Sequence, residues 1–165
     1  MRLLLLVVLA FIAAAGPARA EPRLNVVASF SILGDFVRNV GGDRVAVTTL
    51  VGPDSDAHVY VPTPADAKKI ADAALIFVNG LGFEGWLPRL VKSAGGKAAI
   101  VTATSGIAPV KLGSEADPHA WQSVANAKIY VVNIRDALAA ASPADAGLFK
   151  SNAEIYLAQL DALDR

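Results

Sequence analysis

The strongest constraint on this chain is a regular alternation of two kinds of segment. Short apolar, β-branched runs at 24–28, 45–50, 75–78 and 98–102 read as strands, the first of them buried. Between them lie stretches with helix signals. Thr63-Pro64-Ala65-Asp66 offers a hydroxyl for the cap, a proline at the first helical position and an acid in the first turn, opening a helix to about Asp72. Ser29 or Ser31 is the expected cap of an earlier helix, which Gly41-Gly42 closes. A helix over 83–94 ends at Gly95-Gly96, and Ser123 is the expected cap of one reaching Ala141. That last helix carries the stripe Ala127, Val131, Ile134, Leu138 and Ala141. Ser142-Pro143-Ala144-Asp145 then repeats the start signal before Phe149, Ala153, Tyr156, Leu160 and Leu163. Both stripes step by 4, 3, 4, 3, the period of one buried helix face.

Strands that alternate with helices fold into a parallel sheet covered on both faces. The expected class is therefore α/β, with a four-stranded parallel sheet and helices on both sides. Ligands of such sheets lie beyond the carboxyl ends of the strands. The loops 52–62 and 103–121 leave strand ends, and function is expected there.

The first twenty residues stand apart. Met1-Arg2 precedes an unbroken apolar run of 13 residues, then Gly16-Pro17 and the small-residue pattern Ala18-Arg19-Ala20. This is the layout of a secretory signal peptide cleaved after Ala20, and the run is too short for a membrane span of roughly 20 residues. The expected location is the periplasm. Residues 21–165 then hold 13 basic and 15 acidic side chains, a net charge of about −2 that argues against a nucleic-acid partner. The 165 residues include no cysteine, which removes disulfides, thiolate ligands and lipid attachment through a cysteine.

The chain has two histidines, and each lies in one of the two loops. They sit in Asp56-Ala57-His58-Val59-Tyr60 and Asp117-Pro118-His119-Ala120-Trp121, each with an Asp two residues before and an aromatic two residues after. Neutral imidazole is the commonest side-chain metal ligand. Loops at strand ends bring distant residues together, and the neighbouring acids are placed to orient the rings. His58 and His119 are thus the candidate ligands of one metal ion, against the alternative of two unrelated surface histidines. Asp54, Asp56, Glu84, Glu115 and Asp117 read as caps, turn formers or solvated charges. Gly80-Leu81-Gly82-Phe83-Glu84-Gly85 fits a dinucleotide turn, but it follows the third strand and no acid stands about 20 residues on for a ribose.

The run from Gly52 to Pro64, the segment Asn79-Gly80-Leu81-Gly82-Phe83-Glu84-Gly85-Trp86-Leu87, and Asp117-Pro118-His119-Ala120-Trp121 with Asn126-Ala127 resemble, in order, the metal-specific substrate-binding proteins of ABC transporters, the zinc/manganese type. Ala57, Val61 and Gln122-Ser123-Val124 depart from the commoner family residues. The resemblance implies two α/β lobes joined by a long helix, with the metal between them and His58 and His119 as its first two ligands. It implies Zn²⁺ or Mn²⁺ as the ion and an ABC permease in the inner membrane as the partner. It also implies a monomer without enzymatic activity. On that reading residues 21–142 form the N-terminal lobe and 143–165 begin the connecting helix. The remaining ligands would come from a second lobe beyond residue 165. Two rival functions are a secreted metallohydrolase, which would need a third ligand and a base, and a module binding a small anion at helix N-termini.

Overall fold

A computed structural model describes residues 22–165; the expected leader, 1–20, lies outside the described residues. Four parallel strands, β1 (Leu24–Phe30), β2 (Val45–Val51), β3 (Leu75–Val78) and β4 (Ala99–Thr102), form one sheet in the order β2-β1-β3-β4. The helices are α1 (Ser31–Gly41), α2 (Pro64–Ala71), α3 (Leu87–Ala94), α4 (Val124–Ala141) and α5 (Ala146–Leu163). A two-stranded antiparallel hairpin, β5 (Lys111–Leu112) and β6 (Glu115–Ala116), precedes α4.

Side chains of a strand alternate between its two faces, and here the alternation sorts them into two cores. Val26, Ala28, Phe30, Leu75 and Phe77 join the cluster that includes α1, α4 and α5. Val27, Leu50, Ile76 and Val78 join Ile70 of α2 with Leu87 and Leu90 of α3. Each fully buried Val, Leu, Ile or Phe contributes roughly 1.5–3 kcal/mol. The central strand is buried on both sides, with Val26, Val27 and Ala28 at most 1 % exposed.

Local sequence accounts for some element boundaries and not for others. Thr63 caps α2 in a reciprocal capping box with Asp66, as its start signal predicts. Neither Ser29 nor Ser31 caps α1: its N-cap is Phe30, with no side-chain hydrogen bond, and Ser29 is spent on Glu84 instead. Ser123 does occupy the N-cap of α4 but makes no side-chain bond there. The helix expected from residue 83 begins only at Leu87: residues 81–86 form successive turns, in which the Phe83 N–H donates to the Gly80 carbonyl and the Leu87 N–H to the Glu84 carbonyl. Pro143 opens a 3₁₀ turn, Pro143–Asp145, ahead of α5.

α5 packs into the domain. Phe149 and Ala153 are fully buried, Asn152 Nδ2 donates to the Val40 carbonyl at 3.0 Å, and Tyr156 stacks edge-on against Phe36. Lys128, early in α4, pairs with Asp161, late in α5, so the two helices run antiparallel. Among the described residues no helix is long and apolar enough to cross a membrane.

Gly80 combines a positive φ with a crowded surround: a Cβ there would lie 2.6 Å from Thr102 Cγ2. Gly82 has a similar φ but nothing within 4 Å of that position. Gly80→Ala is expected to destabilise by about 3 kcal/mol, through backbone strain plus overpacking, and Gly82→Ala by about 1 kcal/mol, through strain alone. Urea unfolding of the two variants measures the difference; equal losses would contradict the packing argument.

Candidate metal centre

The sheet order creates a switch point. β1 leads into α1 on one face, whereas its neighbour β3 leads into α3 on the other, so a crevice opens beyond their carboxyl ends. His58 lies in the loop after β2, and His119 follows the β5–β6 hairpin. Although 61 residues apart in sequence, their Nε2 atoms stand 3.1 Å from each other. Two tetrahedral Zn–N bonds of about 2.1 Å would set such nitrogens roughly 3.4 Å apart.

Phe83 forms the floor beneath the pair. Its ring meets His58 edge-on at 4.8 Å and His119 at 6.1 Å between centroids. Phe30 and Trp121 pack against Phe83, each at 5.0 Å, and Trp121 also lies 5.2 Å from His119. This apolar bed shields one side of the imidazoles, while His58 itself is exposed on the other.

The acids two residues upstream have distinct duties. Asp56 Oδ1 accepts from the His58 backbone N–H at 2.8 Å. Asp117 Oδ1 accepts from the His119 backbone N–H at 3.0 Å and from its ring Nδ1 at 2.7 Å. A carboxylate only accepts, so His119 carries its proton on Nδ1 and turns the Nε2 lone pair towards His58. Those two hydrogen bonds, the backbone one first, hold the Asp117 carboxyl below its usual range. Asp56 and Asp117 thus act as turn formers, each accepting from the backbone N–H two residues on, and Asp54, with φ of 60°, also lies in a turn.

Glu84 departs from that reading. It is only 7 % exposed, and its carboxylate accepts from Ser29 Oγ at 2.6 Å, Asn79 N at 2.6 Å and Gly80 N at 3.1 Å. The glycine-rich turn curls its own carboxylate back onto the end of β3, so the charge is satisfied inside rather than solvated. Asn79, fully buried, extends the network: Nδ2 donates to the Pro118 carbonyl at 2.9 Å, and Oδ1 accepts from the Tyr130 hydroxyl. Burial, with the Glu84 charge beside it, raises the Tyr130 phenol far above its usual range. Among the described residues no buried side-chain nitrogen or oxygen lacks a partner.

The loop carrying His58 is held in the same manner. Trp86 Nε1 donates to the Ala57 carbonyl at 2.8 Å, and the Tyr60 hydroxyl donates to Asp66 at 2.8 Å. Burial alone would raise the Asp66 carboxyl, but bonds from Lys69, Thr63 and Tyr60 outweigh it and keep it far below the carboxylate norm. Burial, together with Asp66, pushes the Tyr60 phenol up to about 12. Asn79 and the buried role of Glu84 escaped the sequence reading. The available signal was an Asn and a Glu flanking glycines directly after a strand.

Among the described residues no group of three or more His, Cys, Asp or Glu side chains is placed to hold a metal ion. Two imidazoles supply half of a tetrahedral set.

The family model described as zinc-uptake complex component A, periplasmic, matches residues 26–165. The manganese-binding lipoprotein MntA of Halalkalibacterium halodurans is 41% identical over 142 residues, covering 86% of this chain and 47% of that protein. The iron-binding protein YfeA of Yersinia pestis is 37% identical over 152 residues, covering 90% of this chain and 49% of its own. Among solved structures, a periplasmic metal-binding protein from Candidatus Liberibacter asiaticus superposes with a TM-score of 0.79 at 43% identity, over 83% of this chain and 52% of the other. The chain thus spans about half the length of the curated relatives it matches.

Proposed function

Because the chain belongs to the family of periplasmic zinc-uptake component A proteins, we propose that it captures a divalent transition-metal ion, zinc or manganese, between His58 and His119 and delivers it to the permease of an ABC importer. The observation that carries the reading is the Nε2 pair at 3.1 Å, each ring presented from a loop at a strand's carboxyl end. The family is one of substrate-binding components rather than enzymes, and binding without catalysis is our reading here. The protein works in the periplasm, as a monomer, after removal of the leader. Residues 21–142 are the N-terminal lobe and 143–165 begin the connector to a second one.

Imidazole nitrogens suit zinc, whereas added carboxylates move a site towards manganese. The relatives' names span manganese and iron, so the ligands outside these residues set the choice. Residues 21–165 alone will bind weakly, with water filling the remaining positions. A chain that includes the following half will bind at least about a hundredfold more tightly, ~2.7 kcal/mol. Affinity will fall on acidification, because a protonated imidazole has no lone pair for the ion. Calorimetric titration of zinc and manganese at several pH values tests this. Absence of binding by the longer chain near neutral pH would reject the proposal.

A further inference from the structure

One short segment, Asn79 to Trp86, touches both histidine loops, and it does so at equivalent points. Asn79 Nδ2 holds the carbonyl of Pro118, the residue before His119, at 2.9 Å. Trp86 Nε1 holds the carbonyl of Ala57, the residue before His58, at 2.8 Å. On the other edge of the same peptide bonds, Asp117 and Asp56 accept from the histidine N–H groups at 3.0 and 2.8 Å. Each peptide preceding a histidine is therefore gripped at its carbonyl and at its N–H. A planar peptide fixed at both edges cannot rotate without breaking a hydrogen bond. Phe83, in the middle of the segment, supports both rings.

Neither gripping side chain is itself suited to ligation. Asn79 is fully buried and its amide oxygen is taken by Tyr130, while an indole Nε1–H only donates. The grips come from rigid ground. Asn79 directly follows β3 and its backbone carbonyl accepts from Thr104 Oγ1 at 2.5 Å, and its backbone N–H is held by Glu84. Trp86 directly precedes α3 and meets Tyr60 edge-on, with ring centroids 5.0 Å apart.

We infer that Asn79 and Trp86 are positioning residues that together set the spacing of His58 and His119, so that this one segment fixes the geometry of the metal site from beneath. The inference rests on the proposal that these two histidines hold the ion. Outer groups that orient ligands typically govern 10–100-fold of metal affinity.

The test uses the full-length chain with three variants: Trp86→Phe, which keeps a ring but loses the donor; Asn79→Ser, which is too short to reach Pro118; and Val131→Ala, which weakens the same core without touching either grip. Cobalt(II) and zinc serve as probes, read by competition titration and by the visible spectrum of bound cobalt. Trp86→Phe and Asn79→Ser should each lower affinity about tenfold and alter the cobalt spectrum. Val131→Ala should lower only the unfolding temperature. Parental affinity and spectrum in Trp86→Phe would overturn the inference, even if Asn79→Ser fails to fold. An equal loss of affinity in Val131→Ala would also overturn it, by reducing the effect to general stability. Failure of the parent to bind either probe would instead strike the proposed function, as would a parental affinity in His58→Ala.

Discussion

Alanine at His58 or at His119 will lower zinc affinity by at least about a hundredfold, ~2.7 kcal/mol. Each substitution removes one of two nitrogens that already stand 3.1 Å apart, and it leaves a gap that water fills poorly on the side closed by Phe83. The aromatic bed should survive, since His58 is exposed and His119 retains about a third of its side-chain exposure, 36%. Unfolding of the metal-free protein should therefore shift little. Zinc at a hundred times its dissociation constant stabilises the parent by ~2.7 kcal/mol, and at the same zinc concentration that increment will shrink to about 0.4 kcal/mol or less in both variants. Asp117→Asn should fall between, at 10–100-fold, because the ring loses the acceptor that fixes its tautomer. Calorimetry and thermal unfolding with and without zinc report both quantities. Parental affinity in either alanine variant would remove that histidine from the site.

Glu84→Ala will act on the fold itself. It strands the Ser29 hydroxyl and the Asn79 and Gly80 N–H groups, all of which the carboxylate now satisfies. An unpaired buried donor costs roughly 1–3 kcal/mol. With the space left by the side chain, the loss should be on the order of 4 kcal/mol, a large share of a domain stability of roughly 5–15 kcal/mol. Glu84→Gln keeps the shape and one acceptor, so about half that loss is expected. Urea unfolding of the metal-free protein decides it. A change below about 1 kcal/mol in Glu84→Ala would mean that the three donors find water, and that the network is less closed than its geometry indicates.

The legibility of this chain varies with the range of the interaction involved. β1, β3 and α2 could be read from local signals, since apolar β-branched runs and the Thr63–Asp66 box report on neighbours within a few residues. The stripes of α4 and α5 were also readable, although Ala141 and Leu163 at their ends prove exposed. The two histidines drew attention through their matching surroundings and their place after strands. Their mutual approach depends on the sheet order β2-β1-β3-β4, which a single sequence does not display. The start of α3 falls four residues later than its apolar pattern suggests, because residues 83–86 are taken up by turns whose bonds run to Gly80 and Glu84. Glu84 looked solvated for a related reason. Its three partners come from β1 and from its own turn, and only the folded switch point assembles them. The hydrogen bond from Trp86 to Ala57 spans 29 residues, and no local signal announces it.

The double burial of β1 has a consequence for how the molecule breathes. Its backbone is paired on both edges, to β2 and to β3, and its side chains are sealed on both faces. Amide protons in such a strand trade with deuterium only when the whole domain opens, whereas those of an exposed loop trade through small local excursions. Val59, 72 % exposed in the loop after β2, sits towards the fast end of that scale, and Val27, paired to Thr48 and Ile76, sits on the slow end. Loops at the rim can therefore open many times within a single lifetime of the sheet, without disturbance to the centre.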